Sequence, residues 1–395
     1  MSKNHSPAAV RPGKNLEIEY LRAIAVIMVV LVHSPVLFPG MDLGQWTGVD
    51  LFFCISGYVI SRGFEQSFDE AIADGRWGSV APAFWVRRVF RLAPSAWLWL
   101  AVSVFGSWAY NSTGVFPGTP EQNLWDGLFV LGLFANFAYG LHLMHSNRFF
   151  WSLALEDQFY ILFPLFILWV RPYWRWVVLG LLILLQAIPD RSFHGESDPK
   201  FLWAMRLDAL MWGYLIYLFS RSKFYALAER LIVIFLRYRL LAFAVSAVLI
   251  FLLIDIPKER FARFIGGQIE SQVALVSAGL VFLASYDRGY ALPLPGFLKT
   301  IFAWIGARSY AIYLIHIPLF WYLMETWSRI SHLLGAHAPD KRYFYAVAFP
   351  VALCVLADLN FRLVETPLRR KGVALANRIL ALPAPSGTGV LATSS

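Results

Sequence analysis

The sequence predicts an all-α fold: a polytopic integral membrane protein of about ten transmembrane helices. Of its 395 residues, 58% are apolar and 17% are aromatic, and the mean hydropathy is +0.57. A soluble domain has no use for that much apolar surface. Eleven apolar segments follow one another, many of them close to the length of a membrane-spanning helix. No large hydrophilic block separates them, so any chemistry must be carried out by the membrane domain itself.

The order of the segments defines the predicted domain organisation. Residues 1–15 are polar and contain Pro and Gly, which is typical of a disordered tail. The membrane domain covers 16–371, and the small, polar residues of 372–395 predict a second disordered tail. The apolar segments cover approximately 17–38, 46–61, 92–110, 124–141, 151–170, 174–188, 201–220, 240–255, 269–286, 301–323 and 343–363.

Basic residues in the loops predict the orientation. Those before residue 16 and after residue 368 place both termini in the cytoplasm. Eleven crossings cannot leave both termini on one side, so one segment must be re-entrant or must not cross. The candidates are 124–141, which glycines and Asn136 interrupt, and the short segment 174–188. The net charge of +9 is explained by these loops and by lipid headgroups, without nucleic acid.

The first segment contains two residues that are costly in a membrane, Arg22 and His33. They lie eleven residues apart, about three helical turns, so they share a helix face at a separation of roughly 16 Å. His33 is expected deep within the apolar helix. Ionisable residues inside membranes usually face a cavity and mark a pathway or reaction centre. Spacing alone leaves a proton path, an ion site and a catalytic centre open.

The second and third segments carry further polar groups. Asp50 stands near the start of the second segment, where it can pair with a cation of a neighbouring helix. Gly57, in the middle, allows another helix to approach closely. Arg88 and Arg91 are three residues apart, on one face of a helix. Paired guanidiniums suit phosphate groups. Anchoring of the helix end to anionic headgroups explains the same spacing, and on spacing alone it is the favoured interpretation.

Later segments add two carboxylates and a histidine. Glu156 and Asp157 are adjacent at the start of the fifth segment, where the helix dipole favours negative charge, but they point about 100° apart. Glu156 orients an imidazole, neutralises an arginine, or only caps the helix. His316 lies within an apolar helix, where a hydrogen-bonded structural role is commoner than ligand binding.

Several classes of site have no signature in the sequence. The eight histidines form no HExxH pattern or other close ligand cluster, and there is no Walker loop or dinucleotide-binding glycine fingerprint. A GxSxG nucleophile motif is also missing. We therefore expect no metal and no tightly bound cofactor.

Six motifs, in this order, resemble the membrane-bound acyltransferase family 3. They are IEYLRAIAVIMVVLVH (18–33), GVDLFFCISGYVIS (48–61), FWVRRVFRLAP (84–94), WSLALEDQFYILFP (151–164), SYAIYLIHIPL (309–319) and VETPLRR (364–370). Together they extend over nearly the whole chain, from about residue 16 to 371. In VETPLRR, Glu365 stands where the last helix ends, and Arg369 and Arg370 are interpreted as its anchors.

The resemblance transfers to individual residues. The family's Arg-x10-His pattern matches Arg22 and His33, and its Arg-x-x-Arg pattern matches Arg88 and Arg91. Its acidic residue before the first arginine matches Glu19, and its WSLxxE carboxylate matches Glu156. One departure is visible: the family often has a histidine just before WSL, where this chain has residues 148–150, Arg-Phe-Phe. The role of a loop histidine near 142–145 is therefore not transferred.

The resemblance implies an enzyme that moves an acetyl or other short acyl group from cytoplasmic acyl-CoA, with acetyl-CoA the first choice, to a hydroxyl of a carbohydrate or lipid-linked glycan. It also implies the inner membrane of a bacterium, and contact with membrane lipids. His33 is then the general base, and Arg22 and Glu156 are further catalytic residues. Arg88 and Arg91 hold the donor. Supporting roles fall to Glu19, Asp50 and His316.

Alternatives remain open at this point. The acyl group passes directly to the acceptor, or first to a histidine or serine of the enzyme. A rival reading is a glycan or small-acid transporter without chemistry, although no internal repeat is apparent. A weaker one is a scaffold subunit of a polysaccharide-synthesis complex, for which His33 would be dispensable.

Overall fold

The computed structural model describes residues 15–34, 36–37, 45–189, 191, 204–236, 238–258 and 268–381. These residues form helices joined by turns and short loops, and no strand occurs among them. The predicted all-α fold is confirmed for this part of the chain. The N-terminal tail predicted for 1–15 lies outside the described residues, except for Asn15. The Asn15 side chain caps the first helix by accepting a 3.0 Å hydrogen bond from the Ile18 amide.

The helices, numbered in chain order, have the following bounds. They are α1 Leu16–Val32, α2 Gly48–Ala73, α3 Trp77–Ala109, α4 Pro120–Leu131, α5 Ala135–Gly140, α6 Trp151–Trp169, α7 Pro172–Ala187, α8 Asp208–Ser220, α9 Lys223–Leu236, α10 Arg239–Asp255, α11 Ile269–Ser285, α12 Gly296–Ala307, α13 Ser309–Leu334, α14 Lys341–Asn360 and α15 Thr366–Ala381. A π-helical turn, Phe361–Glu365, joins α14 to α15.

Four helical stretches are long and apolar enough to cross a membrane: Trp77–Ala109, Arg148–Trp169, Arg239–Lys258 and Lys341–Ala381. Shorter apolar helices accompany them, namely α7, α11 and α12. Apolar helices of this length and number are compatible with a membrane protein. The count of about ten spans stays a prediction.

The first apolar segment ends earlier than predicted. The sequence predicts a helix that continues to residue 38, but α1 ends at Val32 and His33 is its C-cap. Pro35 follows in the sequence, and a proline disfavours helical backbone in the residue before it. His33 is therefore exposed at the end of α1, not deep within the helix as predicted.

Segment 124–141 does not form one continuous helix. It divides into α4 and α5, and Leu133 between them has a positive φ of 61°, which a right-handed helix cannot contain. The 12 residues of α4 extend about 18 Å, less than the roughly 30 Å of a bilayer's hydrocarbon core. Helix α7, in the other candidate segment, has 16 residues and is also shorter than that, so which of the two segments does not cross stays undecided.

Segment 301–323 is also interrupted. It divides at Arg308 into α12 and α13. The Arg308 side chain donates a 2.7 Å hydrogen bond to Asp358 of α14 and stacks on Trp304 and Phe361. These contacts fasten the junction between the two helices to α14.

Two helices extend into regions predicted to be irregular. The amphipathic helix α9 occupies the basic stretch between Arg221 and Arg239, and it leaves Phe224, Leu227 and Leu231 exposed. Helix α15 continues to Ala381, ten residues into the tail predicted to be disordered from 372. It is ordered because its small residues pack on α3: Ala376 is fully buried and Gly372 lies against Phe90. Residues after 381 lie outside the described part.

Glycines allow a very close crossing between α2 and α8. A Cβ at Gly57 of α2 would lie 2.0 Å from the Leu210 carbonyl oxygen, and one at Gly213 of α8 would lie 2.1 Å from that of Cys54. No other residue fits such an approach of two backbones. The interpretation of Gly57 as a helix-packing residue is therefore confirmed.

The bundle has two chemically different ends. At the end where α1 begins, arginines of three helices gather: Arg22 of α1, Arg88 and Arg91 of α3, and Arg369 of α15. This is called the basic end. The other end, where α1 finishes at His33, is called the opposite end.

Candidate active site

A cavity of about 410 Å³ opens between the helices at the basic end. This volume lies within the range of small-molecule binding sites. Charged side chains line it together with aromatic and aliphatic ones. The charged ones are four arginines and three glutamates: Arg22, Arg88, Arg91, Arg369, Glu19, Glu156 and Glu365.

The arginines of the cavity are largely without ion-pair partners. Arg22 is paired, with its Nη1 3.0 Å from the Glu19 carboxylate. Among the described residues, Arg88, Arg91 and Arg369 form no salt bridge. The Arg88 guanidinium instead lies against the rings of Phe64, Phe84 and Tyr160 at 5.1 to 5.6 Å.

Gathering these cations has an electrostatic cost. Arg22, Arg88 and Arg91 repel one another, and Arg91 also repels Arg369. Like charges held together in a cavity of low dielectric destabilise the empty protein. An anionic ligand with several phosphate groups relieves that repulsion, and guanidiniums offer it bidentate hydrogen bonds. Glu19, Glu156 and Glu365 offset part of this repulsion. Because four arginines face three glutamates, the excess of positive charge favours an anionic ligand.

Glu156 lies on the cavity wall through α6. It is the sixth residue of that helix, so it does not cap the helix start. Its carboxylate accepts hydrogen bonds from the Ser56 hydroxyl, at 2.5 Å, and from the Tyr160 hydroxyl. Among the residues that the structure describes, no histidine lies beside it and no arginine forms an ion pair with it. Of the interpretations weighed from sequence, neither helix capping nor the orientation of an imidazole is supported.

Two hydroxyls close the cavity on the side of α13. The Ser152 hydroxyl lies 2.6 Å from that of Tyr313, and the Tyr313 hydroxyl also donates to the Phe149 carbonyl at 2.8 Å. Both side chains line the cavity. The Tyr313 ring contacts the imidazole of His316, with ring centroids 5.6 Å apart. Tyr313 is thus the link between the cavity and the histidines behind it.

The two histidines predicted from sequence are neighbours. The Nε2 of His316 lies 3.3 Å from the Nδ1 of His33, and their ring centroids are 5.1 Å apart. Their Nδ1 atoms also contact backbone carbonyls, of Val29 at 2.8 Å for His33 and of Tyr313 at 2.6 Å for His316. His316 is fully buried, whereas His33 is exposed.

These contacts determine which nitrogen carries the proton in each neutral ring. A backbone carbonyl only accepts hydrogen bonds, so the Nδ1 of both histidines is a donor. The Nε2 of His316 is then an acceptor, and it shares the Nδ1 proton of His33 with the Val29 carbonyl. In the neutral His33 ring, Nε2 therefore keeps its lone pair. A nitrogen of this kind can take a proton from a hydroxyl.

The remaining predicted residue lies elsewhere. Asp50 forms a buried ion pair with Arg206, a cation of a neighbouring segment as predicted, and the Arg206 guanidinium stacks on Trp46 and Trp151. A second buried pair follows in sequence, Arg191 with Asp208 at 2.8 Å. Asp50 does not line the cavity. Its described contacts are those of a structural ion pair at the opposite end.

Sequence reasoning thus placed five cavity residues correctly together: Glu19, Arg22, Arg88, Arg91 and Glu156. It missed the hydroxyls of Ser152, Tyr160 and Tyr313, which ordinary helical residues carry without a distinctive spacing. Arg369 and Glu365 lie in a motif that the sequence did reveal, but Arg369 was given only an anchoring role. Among the described residues, no group of three or more His, Cys, Asp or Glu side chains is arranged to hold a metal ion.

The geometry can be compared with known proteins. An acyltransferase domain model matches residues 15–358, nearly the whole described chain. The chain belongs to acyltransferase family 3. The resemblance inferred from the six motifs is therefore confirmed. No solved structure gives a significant match.

Curated relatives carry related names. The peptidoglycan O-acetyltransferase of Listeria monocytogenes is 26% identical over 379 residues, which are 90% of this chain and 56% of the relative. A Bacillus subtilis protein, provisionally named a peptidoglycan O-acetyltransferase, is 25% identical over 89% of this chain and 54% of its own. A provisionally named O-acetyltransferase of Staphylococcus aureus is 26% identical over 90% and 58%. The chain spans slightly more than half the length of these relatives.

Proposed function

We propose that the protein is a membrane O-acyltransferase. It moves an acetyl or other short acyl group from acyl-CoA to a hydroxyl of a cell-envelope carbohydrate. The observation that carries the proposal is the cavity at the basic end. Three arginines without ion-pair partners among the described residues line it together with Tyr313. Tyr313 contacts His316, which in turn contacts His33. Family membership and the names of the relatives support acyl transfer to a carbohydrate.

The donor site is the basic end. Its arginines suit the phosphate groups of coenzyme A, and a cavity of about 410 Å³ accommodates part of such a molecule. The loops at this end are rich in basic residues, which predicts a cytoplasmic location, and acyl-CoA is a cytoplasmic metabolite. We place the protein in the inner membrane of a bacterium, with both termini in the cytoplasm.

The histidine pair supplies the base. The Nε2 of His33 takes the proton of the acceptor hydroxyl, and the oxygen attacks the thioester carbonyl. The new ester C–O bond forms, the C–S bond breaks, and the thiolate leaves. It takes up the proton that His33 accepted, which returns the imidazole to its neutral form. His316 orients His33 through its 3.3 Å contact. The acyl donor enters from the basic end and the acceptor approaches His33 at the opposite end, so the two substrates use different sides.

The test uses the purified full chain in detergent, radiolabelled acetyl-CoA and cell-envelope glycan fragments, with products identified by mass spectrometry. Label transfer without a sealed compartment distinguishes an enzyme from a transporter. We expect His33→Ala and His33→Gln to abolish transfer. His332→Ala is the matched control, because His332 is an exposed histidine in the last turn of α13.

Each variant is first checked for membrane insertion and for its thermal unfolding midpoint. Full transfer by either correctly inserted His33 variant contradicts the assignment of the base. A wild-type protein that transfers no label contradicts the proposed function itself. Label that stays on the protein after incubation with donor alone indicates an acyl-enzyme relay in place of direct transfer.

A further inference from the structure

Arg369 lies on the cavity wall although it is outside the matched acyltransferase domain. The domain model ends at residue 358, whereas Arg369 is the fourth residue of α15, the last described helix. Its side chain lines the same cavity as Arg22, Arg88 and Arg91. The domain match therefore ends before the fourth arginine of this site, which lies in the VETPLRR motif.

The backbone before Arg369 is shaped to bring it there. The π-helical turn Phe361–Glu365 interrupts the helical ladder between α14 and α15. Such turns insert an extra residue, redirect a helix and are frequent at functional sites. Two residues of the turn, Phe361 and Glu365, line the cavity with Arg369.

Helix α15 is fastened to the helix that carries the other donor-side arginines. A Cβ at Gly372 would lie 2.3 Å from the Cβ of Phe90, so α15 approaches α3 very closely. One and a half turns later, the Arg87 guanidinium donates a 3.0 Å hydrogen bond to Asn377. Phe90 and Arg87 flank Arg88 and Arg91 in sequence. The position of Arg369 relative to these two arginines is therefore set by helix packing.

The charge on Arg369 has no partner that explains its position. It forms no salt bridge within the described residues, and it is repelled by Arg91 while it is attracted by Glu365. Glu365 instead accepts a 2.9 Å hydrogen bond from Asn360. Arg369 is also exposed, whereas only 17% of the Arg22 side chain is. Arg369 is thus the outermost of the four arginines, at the mouth of the cavity.

We propose that Arg369 is a donor-binding residue that holds a phosphate group of acyl-CoA at the cavity mouth, together with Arg91. The proposal rests on the proposed function, since it assigns the phosphate to the acyl donor. The phosphate of an anionic lipid headgroup has the same chemistry. The experiment therefore includes an arm for each source.

The test compares two donors with the purified full chain in a detergent free of anionic lipid. Acetyl-CoA carries phosphate groups, and S-acetylpantetheine carries none. For Arg369→Ala, we expect KM for acetyl-CoA to rise about tenfold, the loss of one charge-assisted contact, with kcat nearly unchanged. Kinetics with S-acetylpantetheine should not change. Arg369→Lys should restore part of the affinity.

Arg370→Ala is the matched control. Arg370 is the next residue of α15, is exposed, and does not line the cavity, so its removal should leave KM for acetyl-CoA unchanged. A wild-type KM in Arg369→Ala overturns the proposal, as does an equal loss with both donors, which indicates a structural role. An effect seen only after anionic lipid is added assigns Arg369 to headgroup binding and also overturns it.

A measurement without turnover separates this proposal from the proposed function. Coenzyme A, which carries all the phosphate groups of the donor and no acyl group, is titrated into wild type and Arg369→Ala by calorimetry. About tenfold weaker binding to the variant supports the role of Arg369 even if the wild type transfers no acetyl group. Equal binding to both proteins overturns it.

Discussion

Replacing Gly306 by alanine should change the shape of the cavity at the basic end. Gly306 is in the last turn of α12 and lines the cavity. Its backbone packs against α1, where a Cβ at position 306 would lie 2.0 Å from the Glu19 carbonyl oxygen and 2.8 Å from the Glu19 carbonyl carbon. Both atoms are backbone atoms, so no side-chain rotation relieves the overlap. Helix α1 must move away from α12.

The size of that movement follows from the contact distances. Ordinary van der Waals contact begins at about 3.4 Å, so the two helices must separate by about 1.4 Å at this point. Glu19 lies at the contact, and Arg22, its ion-pair partner, lies three residues further along α1. A displacement of about 1 Å at a reacting centre can cost on the order of 100-fold in rate. We expect kcat/KM for acetyl transfer to fall by about that factor.

The assay is acetyl transfer by purified Gly306→Ala, measured with its thermal unfolding midpoint. Helix propensity alone predicts a stabilisation of about 0.5–1 kcal/mol for Gly→Ala within a helix, so the clash and the propensity have opposite signs. Gly296→Ala on the same helix is the control, since a Cβ there meets no atom within 4 Å. Wild-type activity and stability in Gly306→Ala would refute the reasoning.

Two further predictions concern stability and the loop at the opposite end. Asp50→Asn removes the carboxylate from the buried Arg206, so unfolding should become easier by about 3–5 kcal/mol, seen as a lower thermal midpoint. Asp74→Asn, which affects the exposed pair with Arg76, should change the free energy of unfolding by less than about 1 kcal/mol. Equal effects of the two substitutions would contradict the interpretation of Asp50–Arg206 as a stabilising buried ion pair. Glu325→Gln weakens the charge-assisted hydrogen bonds that the fully buried Glu325 carboxylate accepts from the amides and hydroxyls of Ser112 and Thr113. Hydrogen exchange at those two amides should accelerate by about tenfold or more, whereas the exposed Glu121→Gln should have no effect there; unchanged exchange in Glu325→Gln would show that the carboxylate does not hold this loop.

The helical fold class could be predicted because apolar runs dominate the sequence. The breaks within the predicted helices could not. Hydropathy is averaged over many residues, whereas the interruption at Arg308 depends on one side chain reaching Asp358, fifty positions away in sequence. A positive φ at Leu133 follows the end of α4, and a leucine in the sequence does not predict such a backbone conformation. The order in α15 likewise depends on Gly372 and Ala376 meeting α3, a contact with no local pattern.

The site was readable where spacing carries chemistry. Arg88 and Arg91, three residues apart, do line one cavity with Arg22 and Glu19, as helical periodicity requires. His33 and His316 are separated by 283 positions, and no periodicity links them. Their pairing depends on how α1 and α13 cross, so it became visible only in three dimensions.

If the proposed function is correct, the distance along α1 between the arginines and His33, the proposed base, limits the kind of donor. Arg22, which lines the cavity, and His33 are eleven residues apart, so they are roughly 16 Å apart along the axis of α1. A donor whose acyl carbon is attached directly to a phosphate, such as acetyl phosphate, cannot occupy the arginines and present its carbonyl near the imidazole at once. A donor with a long arm between its phosphates and its thioester can. The position of Tyr313, between the cavity and His316, marks the route that this arm would follow. The geometry of α1 therefore favours acyl-CoA over small acyl phosphates.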